Sequence, residues 1–249
     1  MGLYFAMNQS ELCGNILELG SGVGLGGILS NFVTPTHANG SAKRSVTLTD
    51  INDDVLHMLE QNITHASSKA TSLGGLSRDD ISIQKLDWFD SLLKCGSSQT
   101  ITNSDYGGYD TIIASDCAYL RDQIIPLTET ISTLLGKRRR GKEEEKKLLH
   151  MFAPYNRGVV HELIDKLQKK DMHVDVEDIE LSKYRIKQET ASGCFSSKTS
   201  FFEGQQSKLW SDMPTFCTKF LHITAWHKTE EEIDDERNDK EQHAMNDID

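Results

Sequence analysis

Residues Asn15 to Gly27 read Asn-Ile-Leu-Glu-Leu-Gly-Ser-Gly-Val-Gly-Leu-Gly-Gly: an apolar strand carrying one acid, Glu18, breaks into a glycine-dense turn that feeds a helix. Glycine at Gly20, Gly22 and Gly24 removes Cβ atoms where the backbone must turn sharply and admit a ligand. The helix that follows offers free N–H groups at the same place. A turn of this kind holds a nucleotide-type cofactor at the mouth of an α/β sheet. The glycines alone leave the cofactor open, because Gly22, Gly24 and Gly27 also satisfy the G-x-G-x-x-G dinucleotide pattern, with Asp50 spaced as a ribose-binding acid. Glu18 separates the two readings. A carboxylate two residues before Gly20 opposes a pyrophosphate and suits a cofactor with a cationic amine.

Downstream, hydrophobic periodicity predicts strands separated by helices. Leu25 to Phe32 reads as a short helix, Ser45 to Asp50 as a strand, and Asp53 as the cap of a helix carrying Val55, Leu56, Leu59 and Ile63. Ile81 to Leu86 reads as a third strand and Tyr109 to Ser115 as a buried fourth. A helix from about Asp122 to Leu135 follows, with Pro126 in its first turn, where a missing N–H costs little. Leu148 to Ala153, Val174 to Leu181 and Lys219 to His227 complete seven strands, with an amphipathic helix over Val159 to Leu167. Strands alternating with helices imply a doubly wound, mostly parallel sheet with helices on both faces, which binds ligands beyond the strands' carboxyl ends. Glu18, Asp50, Asp87 and Asp116 all fall at such ends. Four acids at four successive strand ends constrain function more than any single motif.

With 249 residues, 37 % of them hydrophobic, the chain suits one large α/β domain, expected over residues 1–228. The net charge is −11, yet Thr229 to Asp249 alone contributes −8. That acidic tail, poor in large apolar residues, is expected to be disordered. The run Lys137 to Lys142 is followed by Glu143-Glu144-Glu145, a self-compensating charged loop rather than a nucleic-acid face. Its basic part leaves nuclear import open beside a cytoplasmic default. Five cysteines without a C-x-x-C pair predict neither a disulfide framework nor a metal site. No apolar run reaches membrane-spanning length, and neither a signal segment nor a myristoylation pattern opens the chain.

The run Glu18-x-Gly20-x-Gly22-x-Gly24 resembles motif I of the class I S-adenosylmethionine-dependent methyltransferases. Tyr109-Asp110-x-Ile112-Ile113-Ala114-Ser115 leading into Asp116-Cys117-Ala118-Tyr119 resembles the D-x-x-Y motif of the seven-β-strand protein-lysine methyltransferases, methyltransferase family 16. The resemblance spans about Asn15 to Leu135. It implies a Rossmann-like seven-stranded sheet with an antiparallel last strand, and S-adenosyl-L-methionine as cofactor. Carried over position by position, Glu18 with Gly20, Ser21, Gly22 and Gly24 would hold the methionine moiety, and Asp50 the ribose hydroxyls. Asp87 would face the adenine amine, with Trp88 near the ring and Ile51 and Ser115 beside them. Asp116 and Tyr119 would face the acceptor nitrogen. The acceptor implied is a protein, with translation factors and chaperones as the family's partner classes, and the enzyme a monomer. Such relatives carry more covering structure before the first strand than the fourteen residues here, so Gly2 to Glu11 is expected to supply only a remnant.

Each assignment has a plainer competitor. Glu18 could be a strand-end charge, Asp50 or Asp116 a helix cap, Asp87 a turn acid, and Trp88 or Tyr119 packing. Rival activities are methylation of a protein histidine or another small amine, and a non-catalytic, cofactor-binding interaction protein. The Asn-Pro-Pro-Tyr type motif of nucleic-acid and glutamine N-methyltransferases is absent from Ser115 to Tyr119. The segment Ser182 to Thr218 fits no regular element and reads equally as a recognition surface or a linker.

Overall fold

In the computed structural model, residues 1, 4–5, 8–12, 14–33, 45–70, 78–93, 109–135, 147–154, 157–180, 219–229 and 231–238 are described. They form β1 (Ile16–Leu19), α1 (Leu25–Val33), β2 (Val46–Asp50), α2 (Asp53–Ala70), β3 (Ile81–Lys85) and α3 (Trp88–Leu93). After these come β4 (Thr111–Ser115), α4 (Ile124–Leu134), β5 (Leu148–Pro154), α5 (Val160–Gln168), β6 (Met172–Glu180) and β7 (Lys219–His227). The strands make one sheet in the order β3-β2-β1-β4-β5-β7-β6, in which β7 alone runs antiparallel to its neighbours. This is the expected Rossmann-like sheet. Its chain path reverses between β1 and β4, the place where such sheets bind ligands.

Strand alternation splits the core between two faces. Leu17 and Leu19 of β1 join Ile112 and Ala114 of β4 beneath α4 and α5. Ile16, Val46, Leu48 and Ile113 face the other way, against Ile28 of α1 and Leu59 and Ile63 of α2. In α4 the buried Ile124, Leu127, Ile131 and Leu134 recur at helical spacing, and Pro126 occupies the first turn as expected. Each such fully buried aliphatic side chain contributes about 1.5–3 kcal/mol by leaving water. One cap differs from expectation. Asn52, not Asp53, accepts the N–H groups of Asp54 (2.9 Å) and Val55 (3.4 Å) at the start of α2, and Asp53 pairs with Lys85 at 2.8 Å instead.

The second core continues over β5 and β7, where Tyr4, Phe5 and Leu12 are buried against Phe152 and its neighbours. Two imidazoles lie beneath them. His150 Nδ1 and His222 Nε2 are 3.1 Å apart, the ring planes are within 12°, and the centroids are 5.3 Å apart, so the nitrogens meet head-on in an N–H···N hydrogen bond. Glu11 stands 3.7 Å from His150 Nδ1 and accepts hydrogen bonds from the Tyr4 hydroxyl. Burial lowers His150 to about 4, and burial with repulsion from His150 lowers His222 to about 3. The unfolded rings take up protons below about 6.5 while the folded ones do not, so stability is lost as pH falls from 6.5 toward 4. For His150 alone the loss is on the order of 3 kcal/mol. His150→Asn is expected to flatten the pH dependence of urea unfolding across that window, and an unchanged slope would refute the assignment.

Part of the acidic tail is described. Residues 231–238 are helical. Thr229 Oγ1 accepts the Glu232 N–H at 3.3 Å, and the Glu232 carboxylate accepts the Thr229 N–H at 2.7 Å, a reciprocal capping box. Lys228 and His173 pair with Glu236 and Glu232 and tie this helix to the sheet's edge. Among the described residues no helix is long and apolar enough to cross a membrane. The basic run 137–142, the segment 182–218 and four of the five cysteines lie outside the described residues, while Cys117 is a buried free thiol.

Candidate active site

The glycine turn is stitched to the end of β2 by small hydroxyl side chains. The Ser21 N–H donates to the Thr49 carbonyl at 2.8 Å, and the Thr49 N–H donates to Ser21 Oγ at 2.9 Å. The two hydroxyls converge on the Glu18 carbonyl at 3.3 and 2.7 Å. Ser21 is therefore a fastener of the turn, with its side chain turned away from the cleft. Gly24 takes φ +78°, and a Cβ there would stand 2.5 Å from Leu59 Cδ2, whereas Gly22 takes φ +52° beside open space. Gly22→Ala is expected to cost about 1 kcal/mol for its left-handed backbone alone. Gly24→Ala should cost about 1–3 kcal/mol more from overpacking. Equal midpoints for the two variants in thermal unfolding would contradict this.

Glu18 does not line the cleft. Alternation puts its side chain on the Ile16 face, beneath α1, where it is 3 % exposed and accepts the Gly27 N–H at 3.1 Å. Burial raises this carboxyl to about 7, with the Gly27 bond pulling the other way. It braces the turn from behind through that bond.

In front of the turn an open cleft runs along the carboxyl ends of β1, β2, β3 and β4. Gly20, Asp50 and Ile51 line one end, and Asp87, Trp88 and Phe89 the next stretch. Asp50 accepts the Gly22 N–H at 3.2 Å through Oδ2 and the Asn52 N–H at 3.1 Å through Oδ1, so its carboxylate is fixed where the turn and β2 meet. Asp87 Oδ1 accepts the Phe89 N–H at 2.9 Å and caps α3, which presents the Trp88 indole toward Gly20. Asp87 thus both caps α3 and lines the cleft. Ser115, exposed at the end of β4, is not among the lining residues.

Asp116, Cys117, Tyr119 and Gln123 form the remaining wall. Asp116 has φ +49°, a left-handed conformation that aspartate tolerates better than most residues, and its N–H donates to the Phe152 carbonyl at 2.8 Å. Arg157, which follows β5, binds its carboxylate through two parallel hydrogen bonds. Tyr119 is half exposed over the cleft. Arg157 and Gln123 went unseen in the sequence. Gln123 falls within the helix predicted from about Asp122, whereas nothing in the sequence couples position 157 to position 116.

Strand-end acids lining the cleft, a glycine turn with space before Gly22 and an indole wall together fit a class I S-adenosylmethionine-dependent methyltransferase. The chain belongs to the lysine methyltransferase family, whose model matches residues 4–149. No curated protein sequence matches it. Its fold is similar to that of a putative O-methyltransferase from Klebsiella pneumoniae (10 % identity, TM-score 0.51, 92 % of this chain and 80 % of that one). It is also similar to an O-methyltransferase from Bacillus cereus in complex with SAH (13 % identity, TM-score 0.52, 91 % and 80 %). The O-methyltransferase TomG from Streptomyces achromogenes, in complex with SAM, aligns over 92 % of this chain and 79 % of its own at 9 % identity and TM-score 0.51.

The residues present fit S-adenosylmethionine. A Cβ at Gly22 would meet nothing within 4 Å, which leaves the cradle before the turn open to a ligand. The Asp50 carboxylate, with two oxygens, matches a vicinal diol. Trp88 supplies a flat apolar wall for a purine.

Proposed function

We propose that this methyltransferase acts on a lysine side-chain amine of a protein. The observation that carries the reading is the acceptor end of the cleft, where Asp116 and the half-exposed Tyr119 stand beside the cofactor's place with their polar atoms reachable from solvent. The family's lysine specificity supports the same reading. When bound, the cofactor supplies a methyl group on a sulfonium sulfur. The chain's own residues supply placement, and alignment of a nucleophile with that methyl accounts for much of the acceleration. Asp50 and the Gly20 to Gly24 turn fix one reactant. Asp116 and Tyr119 hold the other by its N–H groups. A lysine ammonium, with an ordinary pKa near 10.4, has to give up its proton to solvent before attack.

Transfer of label from methyl-tritiated S-adenosylmethionine to lysate proteins tests this. Label is expected on untreated lysate and lost when lysate amines are acetylated beforehand, with mass spectrometry placing the methyl on lysine. Label that survives acetylation would move the assignment to histidine or another acceptor. No label on any fraction, from a chain that binds cofactor, would move it to a non-catalytic interaction protein.

A further inference from the structure

Asp116 does not stand alone. Arg157 Nε donates to Oδ1 and Nη2 to Oδ2, both at 3.0 Å, so the guanidinium covers both oxygens of the carboxylate at the acceptor end. The pair links the end of β4 to the turn between β5 and α5, across 41 positions of sequence. Both side chains are near 40 % exposed, at 41 % and 43 %. Exposed ion pairs contribute little to stability, typically below about 1 kcal/mol. The consequence of this pair therefore lies in the field it creates at the acceptor.

An unpaired carboxylate beside the acceptor holds an amine in its ammonium form, which has no lone pair to attack with. At 5–6 Å and the high effective dielectric of a half-exposed site, that attraction is roughly one pKa unit on the amine. A guanidinium locked onto the same carboxylate opposes it with a positive charge at nearly the same distance. Of the other groups near this end, Glu18 acts on the wall from behind through Cys117 and is common to every variant compared. Cys117 is fully buried, and burial pushes its thiol up to about 12, so it stays neutral. Tyr119 presents a phenol. Asp50 and Asp87 sit at the cofactor end, bound to backbone N–H groups. Arg121 is engaged by Glu162 at 3.1 Å.

Building on the lysine reading above, we propose that Arg157 is a positioning residue that neutralises Asp116 and so lets the acceptor amine enter as its free base. Arg157 then orients the carboxylate toward the amine's N–H bonds without the carboxylate stabilising the ammonium.

The test uses the full chain with the lysate band it labels and follows methyl transfer from about pH 6.5 to about pH 11.5 for the native protein, Arg157→Gln and Arg157→Lys. Arg157→Gln is expected to move the midpoint of the rising alkaline limb upward by roughly half to one pH unit, slowing transfer about 3- to 10-fold below the native midpoint and approaching the native rate only above the shifted one. Arg157→Lys should stay near the native midpoint, and S-adenosylhomocysteine affinity should be unchanged in both. A pH-independent loss, or a parallel loss of S-adenosylhomocysteine affinity, would mean that Arg157 only braces the loop and overturns the proposal. A downward shift would overturn it as well. A native enzyme whose label survives lysate acetylation contradicts the lysine reading itself, an outcome distinct from an unmoved limb.

Discussion

Asp116→Asn is expected to slow methyl transfer by about two orders of magnitude while leaving S-adenosylhomocysteine affinity within about twofold. Asparagine is the informative replacement because it tolerates the left-handed backbone that Asp116 adopts at φ +49°. The loop and its bond to Phe152 therefore survive, and what is lost is the charge and the paired geometry with Arg157. Misplacement of a reacting group by about 1 Å is enough to reduce rate about a hundredfold, which sets the size of the effect. Single-turnover transfer and calorimetric titration with S-adenosylhomocysteine separate the two quantities. Equal losses of rate and affinity would make Asp116 a structural residue of the loop.

Asp50→Ala is expected to do the opposite and weaken S-adenosylhomocysteine binding by roughly two orders of magnitude. Hydrogen bonds to a charged acceptor are worth about 1.5–3 kcal/mol each, and a ribose diol offers two. The substitution also frees the Gly22 and Asn52 N–H groups that Asp50 now holds, which loosens the turn at the point where the ligand lies. Asp50→Asn keeps the shape and one acceptor oxygen, so its affinity should fall between the native protein and Asp50→Ala. A native affinity in Asp50→Ala would show that this carboxylate serves the turn alone.

The sheet and the cleft were legible in the sequence because strand ends are marked by composition: apolar runs stop at Glu18, Asp50, Asp87 and Asp116, and the topology gathers those ends at one edge. The burial of Glu18 follows from the same alternation that identifies the strands. Ile16 faces α1, so Glu18 must face it too, and a buried carboxylate there belongs to the turn's support. The Ser21 hydroxyl likewise closes β1 onto β2, a role no local pattern marks. The cap of α2 fell one residue earlier because the Asn52 side chain reaches two free N–H groups at the helix start, leaving Asp53 to Lys85. The capping box Thr229-x-x-Glu232 was readable, but tail composition outweighed it in the prediction of disorder. Arg157 was beyond sequence reasoning altogether, since its partner is fixed by the adjacency of β4 and β5 and by no local pattern.

The most direct test of the central claim is calorimetric titration of the chain with S-adenosylmethionine, S-adenosylhomocysteine and NAD. Binding of the first two at a single site in the micromolar range, weakened in Asp50→Ala and absent for NAD, is the expected result. Binding of NAD, or no binding of either sulfur cofactor by a folded chain, would contradict the assignment of this cleft.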